Sequence, residues 1–151
     1  MTYKNILDKL VGKWIHQRTS YFIHNQQIDY HQEEIKLKQI DNIYISTKDN
    51  NSLYQYELSN KINNQKIYYI FSKQEESEFG KLHKITNDEI KYYRFTIHTH
   101  NCIKIESVRE NISYNEYIYL INNRFKITIS ILKRGQKYLA TSFISEIKIF
   151  N

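Results

Sequence analysis

The chain has 151 residues, a formal net charge of +6, 40% hydrophobic residues and 14 tyrosines. This length and composition favour one folded domain over residues 1–151 and exclude a disordered chain. The basic charge favours an anionic partner without identifying it, and we expect no membrane association, because no apolar run reaches the ~20 residues of a spanning helix.

Cysteine content and residue usage constrain where the protein works. The single cysteine, Cys102, excludes an internal disulfide framework, and we expect it to pack as a buried apolar thiol. The first residues show neither a signal-peptide nor a transit-peptide pattern, so we expect the protein to act where it is made. Asn, Ile, Lys and Tyr are abundant, whereas glycines number 3 and prolines 0, which indicates an A/T-rich genome such as that of a plastid or a low-G+C bacterium.

The opening segment, from Tyr3 to Val11, is predicted to form one short helix. Ile6, Leu7 and Leu10 fall on one face at helical spacing. Gly12 then supplies a typical helix stop. We therefore expect a single amphipathic helix ahead of the rest of the chain.

After Gly12 the hydrophobic period changes from the helical value to two, which predicts β-strands rich in Ile, Tyr, Thr and Phe. Asn and Asp pairs separate most of the runs, and Arg134-Gly135-Gln136 is the strongest hairpin signal. The predicted strands are 13–24, 28–39, 43–47, 52–58, 65–71, 80–85, 90–97, 102–109, 115–121, 124–133 and 137–149.

Strands at this spacing form a meander that must close or stack to cover its edges. The expected fold is therefore all-β, an antiparallel barrel of about ten strands, which is wide enough to hold one small ligand. A two-sheet sandwich and a Greek-key strand order both remain open at this point.

The first strand places Trp14, His16 and Arg18 on one face, because strand side chains alternate. Trp14 is the only tryptophan and should be buried. If its face points inward, Arg18 points inward as well, about 13 Å along the strand at ~3.4 Å per residue. An inward arginine needs an anion, which is either a carboxylate of the protein or the carboxylate of a ligand.

The C-terminal hairpin around Asn122 has one apolar and one polar face. Phe125, Ile127 and Ile129 share the first, and Lys126 lies on the second. From alternation alone, the apolar face is expected inward and Lys126 in solvent. The opposite parity would make the cavity polar and leave an apolar outer face for the helix or a second subunit to cover.

Other candidate sites are weak. His98 and His100 share a face but lack a nearby cysteine or carboxylate pattern, so we predict no metal site. Catalytic serine triads, glycine-rich phosphate loops and zinc spacings are all missing from the sequence. The charge and the tyrosines also fit a nucleic-acid-binding barrel, but no strand concentrates a basic and aromatic stripe, so we expect no nucleic-acid partner.

Several stretches resemble the S-type phycobiliprotein lyases. Residues 12–21 resemble the opening of the family's first strand, and their Gly12-x-Trp14 pattern also resembles the lipocalin signature. Three further motifs follow the family's pattern in order, at 116–119, 126–128 and 141–147. The resemblance implies a ten-stranded lipocalin-like barrel with an N-terminal helix, often as a dimer.

The resemblance also implies site residues. It assigns a catalytic role to Glu116 and bilin binding to Arg18, Lys126 and Tyr56. Lys126 stands where the family has an arginine, which keeps the charge but loses the bidentate fork. The positions with implied structural roles are Trp14 and Glu146.

In the family, the Glu116 and Lys126 positions face the cavity, which reverses the expectation from alternation. Phe125, Ile127 and Ile129 are then expected on the outside, where an apolar strip favours a homodimer.

The implied function is that of a phycobiliprotein chromophore lyase in the plastid stroma. Such an enzyme binds a phycobilin, here phycoerythrobilin or phycocyanobilin, as a non-covalent substrate and needs no permanent cofactor. It attaches this open-chain tetrapyrrole by a thioether bond to a cysteine of an apo-phycobiliprotein subunit. The alternative is a non-catalytic lipocalin-like carrier of bilin, haem or fatty acid.

Overall fold

One short helix and ten strands make up the part of the chain that the structure describes. The computed structural model describes residues 3–40, 52–60, 62, 65–74 and 76–150. Helix α1 covers Tyr3–Asp8. The strands are β1 Gly12–Phe22, β2 Gln27–Gln39, β3 Ser52–Asn60, β4 Lys66–Ser72, β5 Gly80–Ile85, β6 Ile90–Thr99, β7 Cys102–Arg109, β8 Ile112–Asn122, β9 Phe125–Arg134 and β10 Lys137–Phe150.

Each strand pairs antiparallel with its neighbour in sequence, and β1 pairs with β10 to close the sheet. The predicted meander barrel is therefore confirmed, and the sandwich and Greek-key alternatives are wrong. The predicted strand at 43–47 lies outside the described residues. The β9–β10 hairpin turns at Gly135, whose φ of 58° is in the left-handed region that favours glycine. Within the described ranges, no helix is both long and apolar enough to cross a membrane.

Helix α1 packs onto the apolar core of the barrel. Its buried side chains are Ile6 and Leu7, and Leu10 follows in the next turn. The helix ends at Asp8 rather than at the predicted Val11, since the backbone then continues as a turn. The barrel contributes a ring of buried side chains to this core: Tyr54, Tyr56, Phe71, Leu82, Phe95, Ile103 and Ile105.

Two tyrosines of β3 hold the helix in place. The Tyr56 hydroxyl donates a hydrogen bond to the Leu7 carbonyl at 2.6 Å. The Tyr54 hydroxyl donates to the Asp8 carboxylate. Burial, together with this carboxylate, raises the pKa of Tyr54 to about 12. Both hydroxyls are thus hydrogen-bond donors at neutral pH, as buried tyrosines require.

Strand β9 shows how the chain divides between interior and exterior. Lys126, Thr128 and Ser130 are buried inside the barrel, whereas Phe125 and Ile127 alternate with them as half-buried residues on the outer face. The parity implied by the family resemblance is observed, and the expectation from alternation alone is wrong. The physical reason is that the interior at this level is polar, so a buried lysine finds a carboxylate there.

Candidate functional site

Three adjacent strands bring a carboxylate between two basic side chains inside the barrel. The register places Glu146 of β10 directly opposite His16 of β1 on one side and Lys126 of β9 on the other. Glu146 Oε2 accepts a hydrogen bond from His16 Nδ1 at 3.1 Å, and Glu146 Oε1 lies 3.3 Å from Lys126 Nζ. We call these three residues the interior ion cluster.

The interior ion cluster is almost removed from solvent, since Glu146 is 5% and Lys126 is 7% exposed. Burial by itself would raise the pKa of Glu146, but Lys126 and His16 outweigh burial and hold this pKa below its usual value. Glu146 is therefore a fixed negative charge at neutral pH. A buried charge of this kind is stable only when it is paired and hydrogen-bonded.

The ring of Trp14 packs against the lysine of the interior ion cluster. Its indole Nε1 donates a hydrogen bond to the Leu10 carbonyl at 3.0 Å, which fixes the ring just above the helix. Lys126 Nζ lies 4.2 Å and Lys148 Nζ 4.9 Å from the centre of this ring. Cation–π attraction stabilises both ammonium groups. Lys148 Nζ also donates to the Lys9 carbonyl at 3.1 Å.

Glu116 lies on the interior face of β8, and its pKa is shifted in the direction opposite to that of Glu146. Burial raises its pKa, while a hydrogen bond from Tyr114 and the charges of Lys84 and Lys126 oppose that shift only in part. Glu146 adds a further increase. The barrel thus holds one carboxyl group kept ionised and another that takes up a proton more readily. A pair whose environments separate the two pKa values is typical of sites that transfer protons.

Two further tyrosines belong to the environment of Glu116. The pKa of Tyr69 and that of Tyr93 are both raised, mainly by burial and then by the charge of Glu116. The ring of Tyr93 also contacts that of Tyr114, with centroids 6.1 Å apart. These hydroxyls keep their protons and can donate hydrogen bonds inside the barrel.

Arg18 follows the interior face of β1 away from the helix. Its register partners are His31 of β2 and Ile144 of β10, two positions beyond the interior ion cluster. Unlike Lys126, it is exposed. Arg18, Glu116 and Lys126 therefore share the interior face, but Arg18 is exposed two positions farther along β1, while Glu116 and Lys126 interact electrostatically.

Tyr56 lies in the packed core beneath the helix, and Cys102 is also buried. Tyr56 is buried beneath the helix and its hydroxyl is already bonded to Leu7, so its implied contact with a ligand remains a prediction. Burial raises the pKa of the Cys102 thiol, which keeps it protonated and unreactive.

Several residues of the site were given no role from the sequence. His16 was placed on the face of Trp14 without a role, and Tyr114 could have been found from its alternation with Glu116. Lys148 follows Glu146 by the same rule. Lys84 alternates with Leu82, but only the register across the pairs β5–β6, β6–β7 and β7–β8 places it in the neighbourhood of Glu116.

A separate groove of about 690 Å³ lies on the sheet of β5, β6 and β7, mostly on its outer face. The guanidinium of Arg94 lies 4.1 Å from the centre of the Phe79 ring and 2.7 Å from the carboxylate of Glu106. Tyr93, a neighbour of Glu116, also lines this groove, but neither Glu116 nor the interior ion cluster does.

Comparison with known proteins identifies the fold. No protein-family model matches the chain. The structure is similar to that of the S-type phycobiliprotein lyase CPES from Guillardia theta, with a TM-score of 0.72 and 17% sequence identity over 98% of this chain and 93% of that one. It is also similar to a DUF3598 protein of unknown function from Nostoc punctiforme, with a TM-score of 0.62 and 11% identity; the match covers 95% of this chain but only 49% of that protein. The chain therefore has the fold of an S-type phycobiliprotein lyase, a closed lipocalin-like barrel of ten antiparallel strands.

Proposed function

We propose that this protein binds an open-chain tetrapyrrole in its barrel and attaches it through a thioether bond to a cysteine of an apo-phycobiliprotein subunit. The observation that carries the proposal is the half-buried Glu116, whose pKa is raised mainly by burial of the carboxyl group, on the same interior face as the buried Lys126. The fold shared with an S-type lyase supports the same conclusion.

The chemistry of a phycobilin complements this interior. Phycoerythrobilin or phycocyanobilin, the proposed substrates, each carry two propionates, four pyrrole-type nitrogens and an extended apolar edge. Lys126 and Arg18 attract the propionates, while Glu116 accepts hydrogen bonds from the pyrrole nitrogens. A cationic tetrapyrrole stabilises the ionised carboxylate, and by linkage Glu116 stabilises the protonated tetrapyrrole.

In the proposed reaction, the thiol of the acceptor protein adds across the ethylidene double bond of ring A. The sulfur bonds to the ethylidene carbon, and the proton of the thiol ends on the tetrapyrrole, so the addition needs no oxidant or reductant. Protonation of the tetrapyrrole makes the ethylidene carbon more electrophilic toward the thiolate. The barrel contributes by holding one extended conformer in position, which is a proximity effect.

The decisive experiment is co-expression with a phycobilin synthesis pathway and candidate apo-subunits. The absorbance and the mass of the adduct identify the chromophore and the modified cysteine together. A protein that takes up bilin but transfers none is a carrier, and this outcome would reject the lyase proposal. The A/T-rich residue usage supports a plastid origin, and we accordingly propose the plastid stroma as the location.

Replacing Lys126 with alanine is expected to weaken bilin binding about tenfold, because a charge-assisted contact to a propionate is lost. The measurement is an absorbance titration of the purified variant, with circular dichroism to verify the fold. Lys104→Ala is the control, since Lys104 pairs with Glu106 on the outer face at 3.7 Å. An unchanged dissociation constant for Lys126→Ala removes this lysine from the binding site.

The outer face of β8, β9 and β10 is apolar, and we propose that a second copy of the chain covers it. Phe143 is 48% and Ile147 52% exposed, and both flank the apolar side of β9. Phe143→Asp is expected to convert a dimer into a monomer in sedimentation velocity, because the partner would have to bury a charge. Ile28→Asp, on the outer face of β2, should leave the dimer intact; a wild-type monomer would contradict the proposal.

A further inference from the structure

Two lysines face each other across the interior side of β5 and β6. Lys84 is the register partner of Lys91 on β6 and of Tyr69 on β4. It follows the core residue Leu82 by two positions, so its side chain shares the interior face. Like charges directly opposite on one face destabilise an antiparallel pair. Lys91 is exposed and Lys84 is half-buried, so the repulsion acts where the interior face of β5 and β6 meets solvent.

The surroundings of Lys84 do not neutralise it. Lys91 has its own partner, with its Nζ 3.4 Å from the Glu89 carboxylate. Lys84 is half-buried, and among the described residues it forms no ion pair of its own; Glu116 and Glu89 act on it only as more distant charges. Burial and the nearby Lys91 lower the pKa of Lys84, which is the expected response of a cation that lacks a close anion.

Lys126 provides the contrast. Its ammonium group lies 3.3 Å from Glu146, so the positive charge of the interior ion cluster is already matched by a carboxylate of the protein. Arg18, the other cation proposed for a propionate, is exposed on β1, so a guest that lies along β5 and β6 needs a different unpaired cation for its second carboxylate. The charges of both Lys84 and Lys126 act on Glu116, so a guest that contacts Glu116 has both lysines in its surroundings.

We infer that Lys84, supported by Lys91 across the strand pair, is the binding site for one propionate carboxylate of the tetrapyrrole. This inference rests on the proposed function and adds a specific anchor to it. The guest carboxylate relieves the repulsion between the two lysines and supplies the anion that Lys84 lacks. The site thus selects guests with a free acid group on the β5–β6 side of the barrel.

The test compares phycocyanobilin with its dimethyl ester, which cannot pair with a cation. Lys84→Gln is expected to weaken binding of the diacid about tenfold and to leave the affinity for the ester unchanged, since only the diacid gains a charge-assisted contact. Lys84→Arg should restore the diacid affinity. Lys81→Gln is the matched control, because Lys81 lies on the outer face of the same strand and is exposed.

The remaining outcomes separate this inference from the proposed function. An equal loss for diacid and ester, or a lowered melting temperature with an unchanged ratio of affinities, would make Lys84 a structural partner of Glu116 and overturn the inference. If the wild-type protein binds neither compound, the proposed function and the inference fall together. If Lys126→Ala weakens diacid binding and Lys84→Gln does not, only the inference falls.

Discussion

Replacing Glu116 with glutamine is expected to reduce the rate of chromophore transfer about a hundredfold while changing bilin uptake much less. General acid–base groups contribute on the order of 10² to 10⁴ to a rate, and glutamine keeps the shape of the side chain but cannot exchange a proton. In the proposed binding mode, uptake also depends on Lys126, Arg18 and apolar contacts, which the substitution preserves. Two quantities are measured for each protein: the rate at which the covalent adduct forms, and the dissociation constant of free bilin from an absorbance titration.

Glu116→Gln is expected to remain folded, so a loss of transfer can be assigned to the missing carboxylate. The folded-state pKa of Glu116 is raised, mainly by burial, so its contribution to stability is full at low pH and is lost as the pH rises through that pKa. A neutral glutamine avoids this loss, and we expect an equal or higher melting temperature at neutral pH. Glu106→Gln, on the outer face, is the control. Transfer at the wild-type rate by Glu116→Gln would exclude the carboxylate from the reaction.

Most of the fold could be predicted because each strand carries its own period-two pattern. One boundary that the sequence missed lies at a turn made by an unusual residue. Strand β8 begins at Ile112, three residues before its predicted start, because Glu110 adopts a φ of 56° and completes a tight turn there. Glutamate is not a typical residue for this conformation, so the pattern around Asn111 gave no turn signal.

The site was predicted less completely because its contacts depend on register between strands. The resemblance assigned Glu116, Lys126 and Arg18, and their strands do place them on the interior face. The pairing of Glu146 with His16 could not be derived, since the two residues are 130 positions apart and meet only when β1 closes on β10. A single sequence shows which residues of one strand share a face. It does not show which residues of another strand lie opposite them.

The same closure places Glu146 where its loss should cost considerable stability. Glu146→Gln is expected to lower the free energy of unfolding by about 3 kcal/mol, because Lys126 would stay buried without its carboxylate. For a domain of this size, a change of 1 kcal/mol corresponds to roughly 2–4 °C in melting temperature, so the expected drop is about 10 °C. Urea and thermal unfolding of the purified variant measure it.

The control is Glu106→Gln, since Glu106 pairs with an exposed Arg94 on the outer face. A surface pair of this kind is worth less than about 1 kcal/mol. If both substitutions cost the same, the interior ion cluster has no special role in stability. A double variant, Glu146→Leu with Lys126→Met, should recover most of the loss, because two apolar side chains leave no unpaired charge.

The pH dependence of unfolding gives an independent test of the ion cluster. The pKa of Glu146 is lowered in the folded state, so its contribution to stability is present above the unfolded-state pKa of about 4.3 and is lost as the pH falls through the folded-state value. The wild-type protein should therefore lose stability on acidification below that pH, and Glu146→Gln should lose less over the same interval. Parallel stability curves for the two proteins would show that Glu146 is not held ionised by Lys126 and His16.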